Sequence, residues 1–397
     1  MFALHESTRR GLCRMGFVLV CILPVCAIAA ASVWINSDAQ RKSYERTLTQ
    51  MLSLDVSIDR VVLTHPNGIR YEGIRFADPE TGAPVGEVVS ATFVKQAKVI
   101  EIEILDSKLN AGQAERFKEI VMRYLRIGKT GDSIRISLTR LELQDSGKTF
   151  DVLDDVKSEF TYDVKKALFT SEFRPTHSPL GKKVELAIQR NREDSPPTTQ
   201  SILHSTETIL CCKTLAVFAP VVRRLGDECR FQGMIHSFDT PQGCQQDING
   251  TFNNVDLSSL SKNGFANRLN GNAAVYFAEM TFLDGRIRQA RGEFRCNEEG
   301  ILDASFAELL TAQKAHNGSW PFIELGFEFD LNPAGLVLKG KCTSETPGAV
   351  LVDQETGQPF PAAAEGKRIP MHEVERILSQ SRTALRLLPS TSDRARY

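Results

Sequence analysis

A mainly β fold, antiparallel and set behind an N-terminal membrane-spanning helix, is what the sequence predicts, and three observations predict it. Apolar residues recur with a period of two along most of the chain, as in Ile100, Ile102 and Ile104 or Ile134, Ile136 and Leu138. Turn signals punctuate these runs: "HPNG" at 65–68, "DPETG" at 78–82, "DSGK" at 145–148 and "NPAG" at 332–335. Residues 15–35 form an uncharged run, long enough to cross a bilayer as a helix.

Arg9, Arg10 and Arg14 precede that run, and Arg41, Lys42 and Arg46 follow it, so local charge leaves orientation open. A short tail, residues 1–14, facing a long C-terminal part favours export of the long part. The expectation is a single-pass protein of the inner membrane, anchored by residues 15–35, with its bulk in the periplasm or another extracytoplasmic space. Ala27, Ala29, Ala30 and Ala31 would also admit cleavage as a signal peptide.

Residues 36–190 read as an N-terminal β region. Val56 and Ile58, then Ile69, Tyr71, Ile74 and Phe76, then residues 88–94 and 99–105 carry the strand pattern. An amphipathic helix at about 114–127 interrupts it, with Phe117, Ile120, Val121, Tyr124 and Leu125 on one face and Gly128 as the stop. In "DSIRISLTRLELQDSGKTF", residues 132–150, Leu141 and Leu143 resume the alternation after a one-residue slip. Phe160 and Tyr162, then Val184, Leu186 and Ile188, restore the strand period. "RNREDSPPTTQ", residues 190–200, has two prolines and no large apolar residue, and residues 191–203 are expected to be a linker or exposed loop. Residues 204–360 read as a C-terminal β region opening with a mostly helical stretch across 206–226, which Pro220 would kink or split. Its strands pass through Phe231, Val275, Phe277, Phe282, Ile287 and Phe294 to the alternating Leu325, Phe327, Phe329 and Leu331. Residues 361–397 read as an amphipathic helix and tail, with Val374, Ile377, Leu378, Leu385 and Leu388 on one face. Arg376, Arg382 and Arg386 would let that helix dock on a protein or an anionic surface, although packing on its own sheet is the commoner fate.

Composition argues against several function classes. A formal net charge of −1 gives no broad basic field, so no nucleic acid partner is expected. The aromatic complement is apolar, 22 Phe against 2 Trp and 6 Tyr, which suits a core or a greasy surface. Cys211, Cys212, Cys229, Cys244, Cys296 and Cys342 follow residue 210 and would form disulfides in an oxidising compartment, with a pairing the sequence leaves open. None forms C-x-x-C and no His stands at ligand spacing, so no metal and no cofactor are expected. "GKTG" at 128–131 lacks the earlier glycine of a phosphate loop, because position 123 is Arg. "DPETG" at 78–82 and "DQETG" at 353–357 read as hairpin turns, and Asp154-Asp155 as a solvated turn. Asn249-Gly250-Thr251 and Asn317-Gly318-Ser319 match a glycosylation acceptor, but Asn-Gly turns account for them. No acid, base, nucleophile or metal set survives, so the chain is not expected to be an enzyme.

What remains is the apolar face of the strands. It either closes on itself as β-sandwich domains or stays open as a curved antiparallel sheet forming a groove for lipid. At about 0.8 kcal/mol per buried CH₂, a sixteen-carbon chain leaving a bilayer needs about 12 kcal/mol of compensation, which takes a continuous trough. The expected lipid-contacting residues are Ile100, Ile102, Ile104, Ile134, Ile136, Leu138, Phe160, Tyr162, Leu325, Phe327 and Phe329.

The order of features resembles the AsmA-like family of anchored envelope proteins, over residues 15–340. The stretches that carry the resemblance are "DVSIDRVVLTHPNGIRYEGIRFADPETGAPVGEV", "IRISLTRLELQDSGKTFDVLDDVKSEF" and "INGTFNNVDLSSL … LNGNAAVYFAEMTFLDGRIRQARGEF". The resemblance implies an extended β-groove of the bridge-like lipid-transfer type. It further implies a phospholipid or other acyl lipid as partner, and a part in phospholipid transport or outer-membrane biogenesis. The alternative is an envelope scaffold or assembly factor that binds protein partners and performs no catalysis.

Overall fold

The computed structural model describes residues 14–26 and 37–374, except 66–67, 130, 132, 179–181, 217–219, 241–242, 263–269, 285, 312–318, 343–346 and 364–365, together with Gly11 and Trp34. The chain forms two compact units, residues 1–108 and 109–397.

In the first unit, residues 14–26 are helical, with a π turn at Val18–Ile22. Among the described residues, no helix is long and apolar enough to cross a membrane, and residues 27–33 and 35–36 of the apolar run lie outside them. Helix α1 (Asp38–Leu52) starts where the Ser37 side chain accepts from Gln40 N, and ends at Ser53 in the left-handed region. Strands β1 (Asp55–His65), β2 (Gly68–Ala77) and β3 (Pro84–Gln96) form an antiparallel meander, and β4 (Val99–Asn110) follows. Alternate positions Val56, Ile58, Val61, Tyr71, Ile74, Val88 and Ala91 build a core, on which Tyr44, Leu48 and Leu52 of α1 pack at a spacing of one helical turn. The Tyr71 ring meets Tyr44 at 5.5 Å and Phe93 at 5.2 Å, both edge-on. Burial, with a smaller contribution from Tyr44, pushes the Tyr71 phenol up to about 12. Side chains of α1 also satisfy the β1 backbone: Ile58 N donates to Glu45 at 2.9 Å and Val56 N to Thr49 at 3.2 Å.

The second unit begins with α2 (Ala114–Ile127) and a meander of β5 (Ser133–Asp145), β6 (Lys148–Tyr162), β7 (Lys166–Pro175), β8 (Val184–Asn191) and β9 (Thr198–His204). A short β10 (Leu210–Cys211) runs into α3 (Cys212–Leu215) and a 3₁₀ turn at Pro220–Leu225. Then come β11 (Arg230–Thr240), β12 (Gly243–Asp256), α4 (Leu257–Lys262), β13 (Asn272–Leu283), β14 (Arg286–Cys296), β15 (Gly300–Asp303) and α5 (Ala304–Thr311). The chain ends its strands with β16 (Ser319–Asn332), β17 (Gly335–Gly340), β18 (Ala349–Asp353), β19 (Pro359–Pro361) and β20 (Arg368–Ile369). Strand β11 pairs with β9 and β10 on one side and with β12 on the other, and the ladder continues through β13 and β14 to β16. Long β16 pairs with β14 and β15 along one edge and with β17 and β18 along the other. The sheet is antiparallel and is not closed.

Several sequence expectations are corrected. Residues 191–203 do not separate domains: β8 and β9 pair from Glu185↔His204 to Asn191↔Thr198, so the two prolines sit in a hairpin loop. Such a loop must be polar and irregular, which is why it looked like a linker. Among the described residues of 206–226 the helical part is shorter than expected, with a turn and β10 before α3, and a separate 3₁₀ turn begins at Pro220, where a kink or split was expected. Asn249-Gly250 lies inside β12, not at a turn. The C-terminal helix begins at Met371, and residues 375–397 lie outside the described residues. Conversely, "DPETG" and "DQETG" are the same turn built twice. Asp78 Oδ1 accepts from Glu80 N and Thr81 N, and Asp353 Oδ1 from Glu355 N and Thr356 N. Each ends at a glycine with φ +67.

The hold on α2 is specific. Val121 and Leu125 are buried, and Arg192 Nη2 donates to the Leu125 carbonyl at 3.1 Å and the Gly128 carbonyl at 3.0 Å, satisfying groups the helix leaves unpaired. The same guanidinium lies 5.7 Å from the centre of the Tyr162 ring. A Cβ at Gly128 would lie 1.9 Å from Cε1 of Tyr162. Gly128→Ala should therefore destabilise the chain by about 2 kcal/mol through overpacking, read as a lowered midpoint in denaturant. A second outcome concerns acid. Burial alone would raise the Asp353 carboxyl, but hydrogen bonds from Thr356, Trp320 and Glu355 outweigh it and hold the group below its ordinary value of 3.8. A depressed folded-state value adds stability above 3.8 that is lost as pH falls through the folded value. Asp353→Ala should then lower the melting temperature at neutral pH, and the difference from wild type should shrink as pH falls below 3.8.

Candidate lipid-contact face

The second unit presents one apolar face, and strand register shows how it is assembled. Directly opposed residues share a face. One row runs Leu210, Phe231, Phe252, Val275, Phe294, Phe327 across β10, β11, β12, β13, β14 and β16. A second row is longer: Ile136, Ser158, Ser171, Leu186, Leu203, Ile235, Ile248, Met280, Ala290, Leu331, Leu336, Ile369. Between them Phe277 stands opposite Gly250 and Gly292, and its ring meets Phe252 at 6.0 Å and Phe329 at 5.8 Å, both edge-on. Phe294 and Phe327 stack at 5.0 Å.

Coverage of this face is uneven. Helix α2 lies on β7 and β8, α3 on β11, and α5 on β15, β16 and β18. Under or beside these helices the face is core: Phe160, Tyr162, Leu325 and Phe327 are buried, with Leu325 only 1% exposed. These four expected lipid contacts pack against protein. Ile134, Ile136 and Leu138 on β5 and Phe329 on β16 are half-buried against the same core, as are Val275, Phe277, Met280, Ile287, Phe294 and Leu336. Sequence alternation identified the face but not its partial cover, because helices from distant parts of the chain supply that cover. Ile100, Ile102 and Ile104 belong to the first unit and are half-buried, with Ile104 against its separate core. The six late cysteines are free thiols.

A buried polar group escaped the sequence reading. Asp151 is 5% exposed; its Oδ1 accepts from Val152 N at 2.9 Å and lies 3.2 Å from His177 Nδ1, and its Oδ2 accepts from the Thr214 hydroxyl. His177 Nε2 lies 2.9 Å from the Ile209 carbonyl. Both imidazole nitrogens thus face acceptors. The group ties β6, the segment after β7 and α3 together. The signal for it was present, since Asp151 keeps phase with inward Leu153, but an inward carboxylate looks like noise until its partners are known. On the other face, a polar concavity of 380 Å³ is lined by residues of β12, β13 and β14, Asp247, Glu279 and Arg288 among them. Thr281 donates to Asp247 at 2.7 Å and Gln289 to Glu279 at 2.5 Å. Among the described residues, no group of three or more His, Cys, Asp or Glu could hold a metal ion.

No known protein family matches the chain, and no curated protein or solved structure is found to be similar to it.

Core and half-covered lining separate in a paired measurement. Phe231→Ala, at 0% exposure, should cost about 4 kcal/mol of unfolding free energy. Phe329→Ala, half-buried, should cost about half as much or less, because less of its surface leaves water on folding. Equal losses in denaturant titrations would mean that Phe329 is core.

Proposed function

We propose that the chain is a membrane-anchored extracytoplasmic protein whose apolar β face binds lipid acyl chains and serves phospholipid transport or envelope upkeep. One observation supports this above the rest: apolar residues recur in register across many strands of an unclosed sheet, and some of them, Ile134, Ile136 and Leu138 on β5, Phe277 and Met280 on β13 and Phe329 on β16, stay half-buried. Such residues keep surface that an acyl chain would take out of water, at about 25 cal/mol per Å². A row of several strands, each about 4.8 Å from the next, is also the length scale of an extended acyl chain. The N-terminal apolar run would hold this face near a source of lipid. The resemblance to AsmA-like proteins points the same way. The proposal assigns no catalytic step, and the lining acts by contact alone.

Native mass spectrometry of the full chain, released from membranes in mild detergent, tests the reading. Phospholipid should remain bound to the wild type and be lost from the Ile136→Asp/Phe329→Asp variant, while the circular dichroism of the two stays alike. A wild type that carries no lipid when incubated with phospholipid vesicles would overturn the proposal and favour a scaffold that binds protein.

A further inference from the structure

Cys212 and Cys229 face each other where β10 runs into α3 and the chain enters β11. The antiparallel register Leu210↔Phe231, Cys211↔Arg230 extends one more step, since Cys212 N donates to the Cys229 carbonyl at 2.9 Å. Cys229 N turns instead to the Gly226 carbonyl at 3.4 Å, but opposed antiparallel residues have Cα atoms about 4.5 to 5.5 Å apart in either pairing, within the span a disulfide bridges. The Cys229 thiol is the first cause that pushes the Cys212 thiol up, and both residues are 0% exposed. The other late cysteines are placed differently. Cys211 precedes Cys212 on an extended strand, so its side chain leaves by the opposite face. Cys296 Sγ lies 3.6 Å from the Glu298 carbonyl and Cys342 Sγ 3.9 Å from the Glu324 carbonyl, while Cys244 stands opposite Asp239.

The geometry points to a covalent site: Cys212 and Cys229 close one intramolecular disulfide when the chain folds in the presence of a low-molecular-weight disulfide. The step balances by two exchanges. One protein thiolate attacks the oxidant, forming a mixed disulfide and releasing the first small thiol. The second protein thiolate attacks the protein sulfur of that mixed disulfide, forming the Cys212–Cys229 bond and releasing the second small thiol. Two protein thiols are oxidised, one small disulfide is reduced to two thiols, and the two electrons pass to it. The contact with Cys229, and burial after it, push the Cys212 thiol up, which disfavours the thiolate once the structure has closed. Bond formation therefore belongs to the folding chain, and the finished bond is sealed from reductant. It would tie α3 and the 3₁₀ turn to the foot of β11. The inference does not depend on the lipid-binding proposal.

The test is cell-free synthesis of the full chain in detergent, in oxidising glutathione buffer or in dithiothreitol. The product is quenched with an alkylating reagent in denaturant, cut with trypsin and weighed. In the oxidised sample, residues 193–213 should be joined to residues 225–230. The link should persist in Cys211→Ser and vanish in Cys212→Ser. The oxidised chain should melt on the order of 5 °C above the reduced one. Full alkylation of Cys212 and Cys229 in the oxidised sample would overturn the inference. So would a Cys211–Cys212 bond, or a link to Cys229 that Cys211→Ser removes.

Discussion

Register is the constraint on which the second unit depends. In a strand, successive side chains alternate between faces, so a slip of one residue between neighbours would send Phe231, Phe252 and Phe294 to the solvent side together. The chain holds phase with local irregularities that match across the ladder. Leu138 and Leu141 are three apart in β5, yet both reach the core, because they oppose Val156 and Leu153, which are also three apart in β6. Asp155, at φ +51, takes up the extra residue, and Lys183 meets its carboxylate at 2.9 Å. In β13 the same shift between Phe277 and Glu279 lets Phe277 and Met280 both face inward.

The two units solve the problem of a half-covered sheet differently. In the first, one helix lies along the meander and satisfies strand N–H groups with its own side chains, Glu45 and Thr49. In the second, short helices cover parts of a wider sheet and leave parts of the face half-exposed. Phe277 fills the gap beside Gly250 and Gly292 while presenting a flat apolar surface. The same residues therefore stabilise the sheet and define its open surface, which is why no separate cluster of polar groups is needed for the proposed role.

Much of this was legible in the residues. Strand periods, the α2 helix with Val121 and Leu125 inward though Phe117 is exposed, its stop at Gly128 and the paired Asp-x-Glu-Thr-Gly turns follow from spacing and local hydrogen bonding, which act over a few residues. The one-residue slip in β5 was visible, though not the slip in β6 that meets it. What could not be read were facts of long range. The contact of Asp151 with His177 and Thr214 joins parts of the chain that sequence separates. The burial of Phe160 and Leu325, against the half-exposure of Phe329 on the same face, depends on which helix comes to rest where. Residues 192–197 form the exposed loop that the sequence offered beside a linker, and composition could not choose between them because a polar loop and a linker share it.

Arg192 carries a consequence of its own. It reaches from the β8–β9 loop, 64 residues along the chain, to the last carbonyls of α2. Freeing that helix end would strand those carbonyls and release the hairpin loop in one event. In hydrogen-exchange terms, the end of α2 and the β8–β9 loop should open together, although neither segment neighbours the other in sequence.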